Sequence, residues 1–418
     1  MIRKQQQDRA ARRELVAKLE TRHAERGQFD VQTTDERDVL LVPSELLAEE
    51  SAVTNPAVQA QIADAGFTIE PVDCLRGRVV RLTQAGATRE TVDDFRAALE
   101  ASGVSTSLAY VTPNKVIIKA EATPEQAEHH PEPRKPAAAA GGTAVRVAVL
   151  DTGIALCGRT DGWLAGLQNP ANTDPLDEFP TANGKLDFAA GHGTFIAGLY
   201  QLADTDLDLR IRRVLDSDGL VGEVDVACAL VTCVDEELAD GGKLVVNLSL
   251  GTDTLDDKPP LALQVALDIV REIEAERSGD LLLVAAAGND GLDKPCWPAA
   301  FAAGDDKVVA VAALGKDDAP ADWSTHGSWV TCSTRGDEVL STFVTGTEDP
   351  TIDSNPETFG KDAWATWTGT SFAAPQVAAR IASIARASGV DLTTARDTLF
   401  TDTSLGNHPM YGELLGFS

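Results

Sequence analysis

The sequence predicts an α/β protein, a parallel sheet with helices on both faces, preceded by a small α+β domain. Four apolar runs of strand length recur in the second half of the chain: VRVAVL (145–150), KLVVNLSLG (243–251), LLLVAAAGN (281–289) and KVVAVAAL (307–314). They do not alternate with polar residues, which marks strands covered on both faces. Helical segments stand between several of them, DVACALVTCVDEELAD and LQVALDIVREIEAERSG, and such alternation implies crossover connections between parallel strands. A separate stretch ahead of these carries strand and helix signals in a different order, which sets a second domain apart.

Residues 1–36 are highly polar and charged, and the first two dozen favour helix, so this segment reads as a solvated helix or a loosely attached arm. From 37 to 120 the pattern tightens. DVLLVPS reads as strand, NPAVQAQIADAG as helix, FTIEPVD and GRVVRLT as strands, RETVDDFRAALEASG as helix and SLAYVTP as strand. KVIIKAE adds one strand more. The order β-α-β-β-α-β is a split βαβ sandwich, ferredoxin-like in outline. Residues 121–143 have the Pro- and Ala-rich composition of a linker, and His129 and His130 within it lack partner ligands at metal-binding spacing. The principal domain then runs from 144 to 418.

Among the 418 residues, 65 Asp and Glu against 36 Lys and Arg give a formal charge of −29, which disfavours nucleic acid and anionic membrane surfaces as partners. The first twenty residues are charged throughout, without the apolar stretch of a secretory signal, and no run reaches transmembrane length. The expectation is a soluble cytoplasmic protein. Six cysteines, Cys74, Cys157, Cys228, Cys233, Cys296 and Cys332, show no CxxC spacing and are expected to remain thiols in a reducing cytosol, buried as small hydrophobes. Zinc is not indicated.

Three segments break the pattern with polar residues that packing alone would not require. In VAVLDTG a buried strand ends at Asp151, followed by Thr152 and Gly153, and a carboxylate there needs a partner. An aspartic protease would need a second such turn in a matching setting, which is absent. In GHGTFIAGLYQL, His192 lies between Gly191 and Gly193 at the start of a helical run, where small residues let other backbone approach. In TGTSFAAPQVAARIASIA, Ser371 stands at the head of a long apolar helix with Pro375 expected in its first turn. Each has a bland explanation alone, a helix cap in the case of Ser371. Together they supply an orienting carboxylate, a base and a nucleophile in the order Asp, His, Ser, which is the order found in subtilisin.

Asp151-Thr152-Gly153, His192-Gly193-Thr194 and Gly369-Thr370-Ser371 with Ala373, Ala374 and Pro375 resemble the three signatures of the subtilase family, over roughly residues 144–400. The resemblance implies a subtilisin-like sheet and a serine endopeptidase (peptidase family S8) with Asp151, His192 and Ser371 as its catalytic residues. Asn289, in AAAGNDG at the end of another buried strand, can donate to the oxyanion formed when serine attacks a carbonyl. By the same resemblance Ser249-Leu250-Gly251 and Asp218-Gly219 border an extended polypeptide substrate, and Ala286, Ala287 and Gly288 line its first specificity pocket. STRG, where Ala-Pro-Gly is usual, and a polar insertion near TGTEDPTIDSNPETFGKDAW depart from the family pattern. His326 reads as a packing histidine.

The α+β domain resembles the family's inhibitory propeptides, which implies a zymogen whose own N-terminal domain blocks the site. No cofactor is required by this chemistry. Family members often bind structural calcium, so the resemblance leaves a calcium site open, with no Asp-rich loop here to which its ligands can be assigned by spacing. Two rival readings remain: a catalytically silent relative that binds peptides in the same groove, and an esterase, which would place its serine in a G-x-S-x-G elbow rather than in GTSFA.

Overall fold

The computed structural model describes residues 2–24, 29–34, 37–113, 124–127, 144–155, 158–167 and 169–417. The principal sheet begins with β7 (Val145–Asp151), after the α+β domain has contributed β1 to β5 and the connecting segment β6. Its further strands are β8 (Asp208–Arg213), β10 (Gly242–Leu248), β11 (Gly279–Ala286), β12 (Val308–Leu314), β13 (Cys332–Arg335), β18 (Ser404–His408) and β19 (Gly412–Leu415). They lie in the order β18-β19-β13-β12-β11-β10-β7-β8, parallel throughout except for the β18–β19 hairpin. All four apolar runs singled out in the sequence are central strands.

Burial on both faces explains the unbroken apolar pattern. Val145, Val147 and Val149 of β7 enter one core with α4 (His192–Ala203), α7 (Thr370–Ser388) and α8 (Leu392–Thr403). Ala148 and Leu150 enter the other, with α5 (Glu223–Glu237) and α6 (Leu261–Arg277). The first part of α7 is enclosed, Thr370–Pro375 buried throughout, which is why its sequence there is small and apolar.

The α+β domain is built from β2 (Asp38–Glu49), α2 (Pro56–Asp64), β3 (Thr68–Pro71), β4 (Val79–Thr83), α3 (Arg89–Ala101) and β5 (Ser107–Pro113), in the strand order β3-β4-β2-β5. That is the ferredoxin-like arrangement. The local signals are plain: the Asn55 side chain accepts from the Ala57 amide with Pro56 opening α2, and Thr88 caps α3. Val92, Phe95 and Leu99 present one buried face of α3. A short strand β1 (Asp30–Thr33) pairs with β2 and was not expected from the sequence. KVIIKAE, His129, His130 and Cys157 fall outside the described residues. Within the linker, Glu125–Gln126 forms β6 and pairs with β17 (Trp364–Trp367), itself paired with β14 (Val339–Thr342). The polar insertion folds as a small hairpin, β15 (Gly346–Thr347) against β16 (Thr358–Phe359).

The contacts that join the two domains include a strand pairing, an ion-pair cluster and a disulfide. β5 pairs antiparallel with β9 (Leu220–Gly222), so Val111, Thr112 and Pro113 face Gly222, Val221 and Leu220. Arg76 and Arg78 reach Glu272 of α6. Cys74 and Cys228 form a disulfide with their Cα atoms 5.3 Å apart. The expectation that these two cysteines stay thiols is therefore corrected: the docked domains bring two sulfurs 154 residues apart in sequence into bonding range, which spacing along the chain does not reveal. A disulfide also sits poorly with a reducing compartment. Cys233 and Cys332 are free, and they and Cys296 are buried, as expected of small hydrophobes.

The first segment does form a helix, α1 (Ile2–His23), but it is not loosely attached. Its C-terminal residues Arg22 and His23 are buried against the principal domain, because the Arg22 guanidinium and the His23 ring meet carboxylates there. Among the described residues no helix is long and apolar enough to cross a membrane.

Candidate active site

Asp151 ends β7, and its Oδ1 accepts hydrogen bonds from the Thr152 amide at 2.8 Å and from His192 Nδ1 at 2.7 Å. Both side chains are buried. Holding Nδ1 as the donor leaves Nε2 as the basic nitrogen. His192 opens α4, preceded by Gly191 at φ +84°. Gly193 must lack a side chain: a Cβ there would stand 2.1 Å from the Gly153 carbonyl oxygen. The two glycine-containing motifs are thus pressed together, which brings the Asp and His into contact.

Ser371 is the second residue of α7, with Gly369 at the cap position, so it is not the helix cap that a bland reading would make it. Pro375 lies a turn deeper than expected. Lacking an amide proton, Pro375 cannot bond to the Ser371 carbonyl, which instead accepts from Ser249 Oγ at 2.8 Å. In return Ser371 Oγ donates to the Ser249 carbonyl at 3.2 Å. The helix start, the end of β10 and the serine are locked together. Phe372 brings its ring within 5.2 Å of the His192 ring.

Asn289 follows β11, and its Oδ1 accepts from the Thr370 amide at 2.9 Å and the Thr370 hydroxyl at 2.8 Å. This fixes the amide so that its NH2 end is the one left to donate. The family model described as "Subtilase family" matches residues 142–407.

The chain belongs to the subtilase family.

Over 282 residues it is 28% identical to subtilisin BL of Lederbergia lenta, covering 65% of this chain and 88% of that protein. It is 29% identical over 212 residues to a thermostable alkaline protease of Halalkalibacterium halodurans, covering 49% of this chain and 50% of the other. The chain thus spans about half the length of that relative. Among solved structures, fervidolysin of Fervidobacterium pennivorans, described as a keratinolytic enzyme related to subtilisin, aligns with a TM-score of 0.56 at 18% identity, over 89% of this chain and 59% of that one. At that identity the likeness speaks for the fold.

The remaining predicted positions of this subtilase lie at strand ends and turns. Ser249, Leu250 and Gly251 continue from β10, and a Cβ on Gly251 would meet Cys296 Sγ at 2.5 Å. Ala286 ends β11. Ala287 donates its amide to the Val311 carbonyl, and Gly288 (φ +100°) donates to Thr370 Oγ1 at 3.1 Å. Asp218 and Gly219 turn into β9, but the edge that pairs with a strand is Leu220–Gly222, one step further on. His326 packs on Tyr411 and donates from Nδ1 to the Ser324 carbonyl.

Sequence reasoning missed several residues that shape this site. Asp174 is buried and accepts from Thr152 Oγ1 at 2.8 Å, the Gly191 amide at 2.9 Å and the Leu176 amide at 3.0 Å, tying the Asp151 turn to the His192 turn. Burial pushes its carboxyl up to about 6 against those hydrogen bonds. It sits in NPANTDPLDEFP, a polar run with no periodicity to mark it. Arg12 of α1 donates to Asp290 at 2.7 Å and to the Asn289 carbonyl. Ten residues on, Arg22 enters a pocket formed by Asp187, Asp218 and Asp349. Burial works to raise the Asp218 carboxyl, but the hydrogen bond from His23 and the Arg22 charge outweigh it and hold it below its usual range. At 1.5 Å per residue the stretch of α1 from Arg12 to Arg22 covers about 15 Å, from the Asn289 segment to the carboxylates beside β9.

Proposed function

We propose that this chain is a serine endopeptidase that hydrolyses peptide bonds through an acyl-enzyme. The observation that carries the proposal is the 2.7 Å bond between Asp151 and His192 Nδ1, buried within a cleft that also holds Ser371 and Asn289. In this reading His192 Nε2 takes the proton of Ser371 as its Oγ attacks the peptide carbonyl, and Asp151 steadies the imidazolium. The Asn289 amide and the backbone N–H at the start of α7 stabilise the oxyanion. His192 then protonates the leaving amine, and water, deprotonated by the same imidazole, releases the acyl group.

The substrate strand would pair with Ser249-Leu250-Gly251 on one side and with the β9 edge on the other, its first pocket lined by Ala286, Ala287 and Gly288. β5 already occupies the β9 edge, and this supports an autoinhibitory role for the N-terminal domain. A second reading, a silent peptide-binding relative, draws support from the Ser371 hydroxyl, which bonds to the Ser249 carbonyl. Fluorophosphonate labelling followed by intact mass spectrometry separates the two. A probe mass gained by wild type and absent from Ser371→Ala supports the peptidase. Absence of label from both, with residues 1–140 present and again after they are removed by limited proteolysis under reduction, supports the silent relative.

A further inference from the structure

Three carboxylates converge on one guanidinium at the margin of the cleft. Arg22 Nε donates to Asp218 at 2.9 Å, Nη1 to Asp349 at 2.9 Å, and Nη2 to the Phe179 carbonyl at 2.6 Å and to Asp187. The side chains of Asp187, Asp218 and Asp349 are 1%, 0% and 3% exposed, so the charges are withdrawn from water.

Apart from a bond between His23 and Asp218 at 3.1 Å, the pocket is built from the principal domain. Asp187 accepts from the Glu178 and Phe179 amides and from the Ser217 hydroxyl. Asp218 accepts from the Phe188 amide, and Asp349 from Asn183 and Thr351. All of these donors belong to the principal domain, so the carboxylates keep their places whatever fills the space between them. Three carboxylates held this close to one another repel, and the site therefore favours a cation.

Its geometry selects the cation. Acceptors from four separate chain segments surround a planar fork of N–H donors, an arrangement that suits a guanidinium and that a compact ammonium cannot match. Among the described residues no group of His, Cys, Asp or Glu is arranged to hold a metal ion. The location selects the role. Asp187 lies five residues before His192, and Asp218 directly precedes the turn into β9, the edge on which an extended strand pairs.

We propose that Asp187, Asp218 and Asp349 form an arginine subsite of the substrate cleft, filled in cis by Arg22 and, once α1 is displaced, by an arginine side chain of the peptide substrate. The substrate role rests on the peptidase reading above; the guanidinium site itself does not.

The test uses the full chain with agmatine as an alkylguanidinium probe and butylamine as the matching amine. Arg22→Ala is expected to bind agmatine saturably by calorimetry, at least tenfold tighter than wild type and tenfold tighter than it binds butylamine. Adding Asp218→Asn should remove that binding. Equal affinity in wild type and variant, or equal affinity for amine and guanidinium, overturns the site. Should Arg22→Ala fail to fold, Arg22→Gln is titrated in its place. On peptides that differ only in arginine against citrulline, wild type freed of residues 1–140 by limited proteolysis under reduction should prefer arginine at least tenfold in kcat/KM, and Asp349→Asn treated in the same way should lose that preference. Equal rates on the two peptides overturn the substrate role. Fluorophosphonate labelling of Ser371 keeps the readings apart: agmatine binding without labelling leaves the guanidinium site standing and overturns the peptidase, whereas labelling without agmatine binding does the reverse.

Discussion

The two sides of the cleft are constructed by opposite means. The side that holds Asp151, His192 and Ser371 is made of short contiguous motifs whose glycines and small residues allow backbone to touch backbone, as where Gly193 meets Gly153. The side that holds Arg22 is made of single charged residues from distant parts of the chain, at 22, 187, 218 and 349, brought together only by the finished fold. The first is held by hydrogen bonds and close packing, the second by buried charge. Local motifs advertise themselves in a sequence, and long-range ion clusters do not.

The contrast predicts that the charged side is the more fragile. Arg22→Ala strands three buried carboxylates and should cost about 3–5 kcal/mol, read as a fall in the denaturant midpoint. A change below 1 kcal/mol would mean that the arm is peripheral after all.

On the motif side the expected loss is of activity and not of fold. Asn289→Ala should lower kcat about a hundred- to a thousandfold, a magnitude taken over from subtilisin, with KM little changed. If KM rises while kcat holds, Asn289 binds substrate rather than the oxyanion.

The disulfide sharpens the comparison with a third means, a covalent tie from the α+β domain to α5. Cys74→Ser should cost about 2–4 kcal/mol. After the chain is cut between 128 and 143, wild type should run as a single species on a non-reducing gel and the variant as two. Two wild-type fragments without reductant would overturn the tether.

The smallest effect concerns Asp174, which links the two motif turns. Its folded carboxyl is raised from the usual carboxylate range to about 6, so the folded state holds its proton more tightly than the unfolded chain does. The stabilisation this gives is complete below about pH 4 and is lost as pH rises through 6. Asp174→Asn should flatten the dependence of Tm on pH between 4 and 6. A variant that keeps the wild-type slope would place the titration elsewhere.

Much of this was legible beforehand for physical reasons. The central strands showed because burial on two faces leaves no polar alternation, and α3 showed because Val92, Phe95 and Leu99 recur at helical spacing. Asp151, His192 and Ser371 were found because each interrupts an apolar element with a polar group. Asp174 stayed hidden in a run already polar, where one more carboxylate carries no signal. Pro375 was placed a turn too early because the helix begins at Thr370, before the apolar period does. The Cys74–Cys228 bridge and the burial of Arg22 depend on domain docking, and nothing near those residues in sequence encodes it.

In the autoinhibitory reading proposed above, the double anchorage of α1 gives activation the form of a conjunction. Arg12 holds the helix at the Asn289 segment and Arg22 holds it at the β9 side, while the disulfide keeps the following domain attached whatever happens to the linker. A nick behind the α+β domain severs the chain without withdrawing either bolt. Opening requires a second, chemically distinct event, whether reduction of the bridge or competition for the pocket of Arg22. Such a catch ignores a stray cut and responds to coincidence.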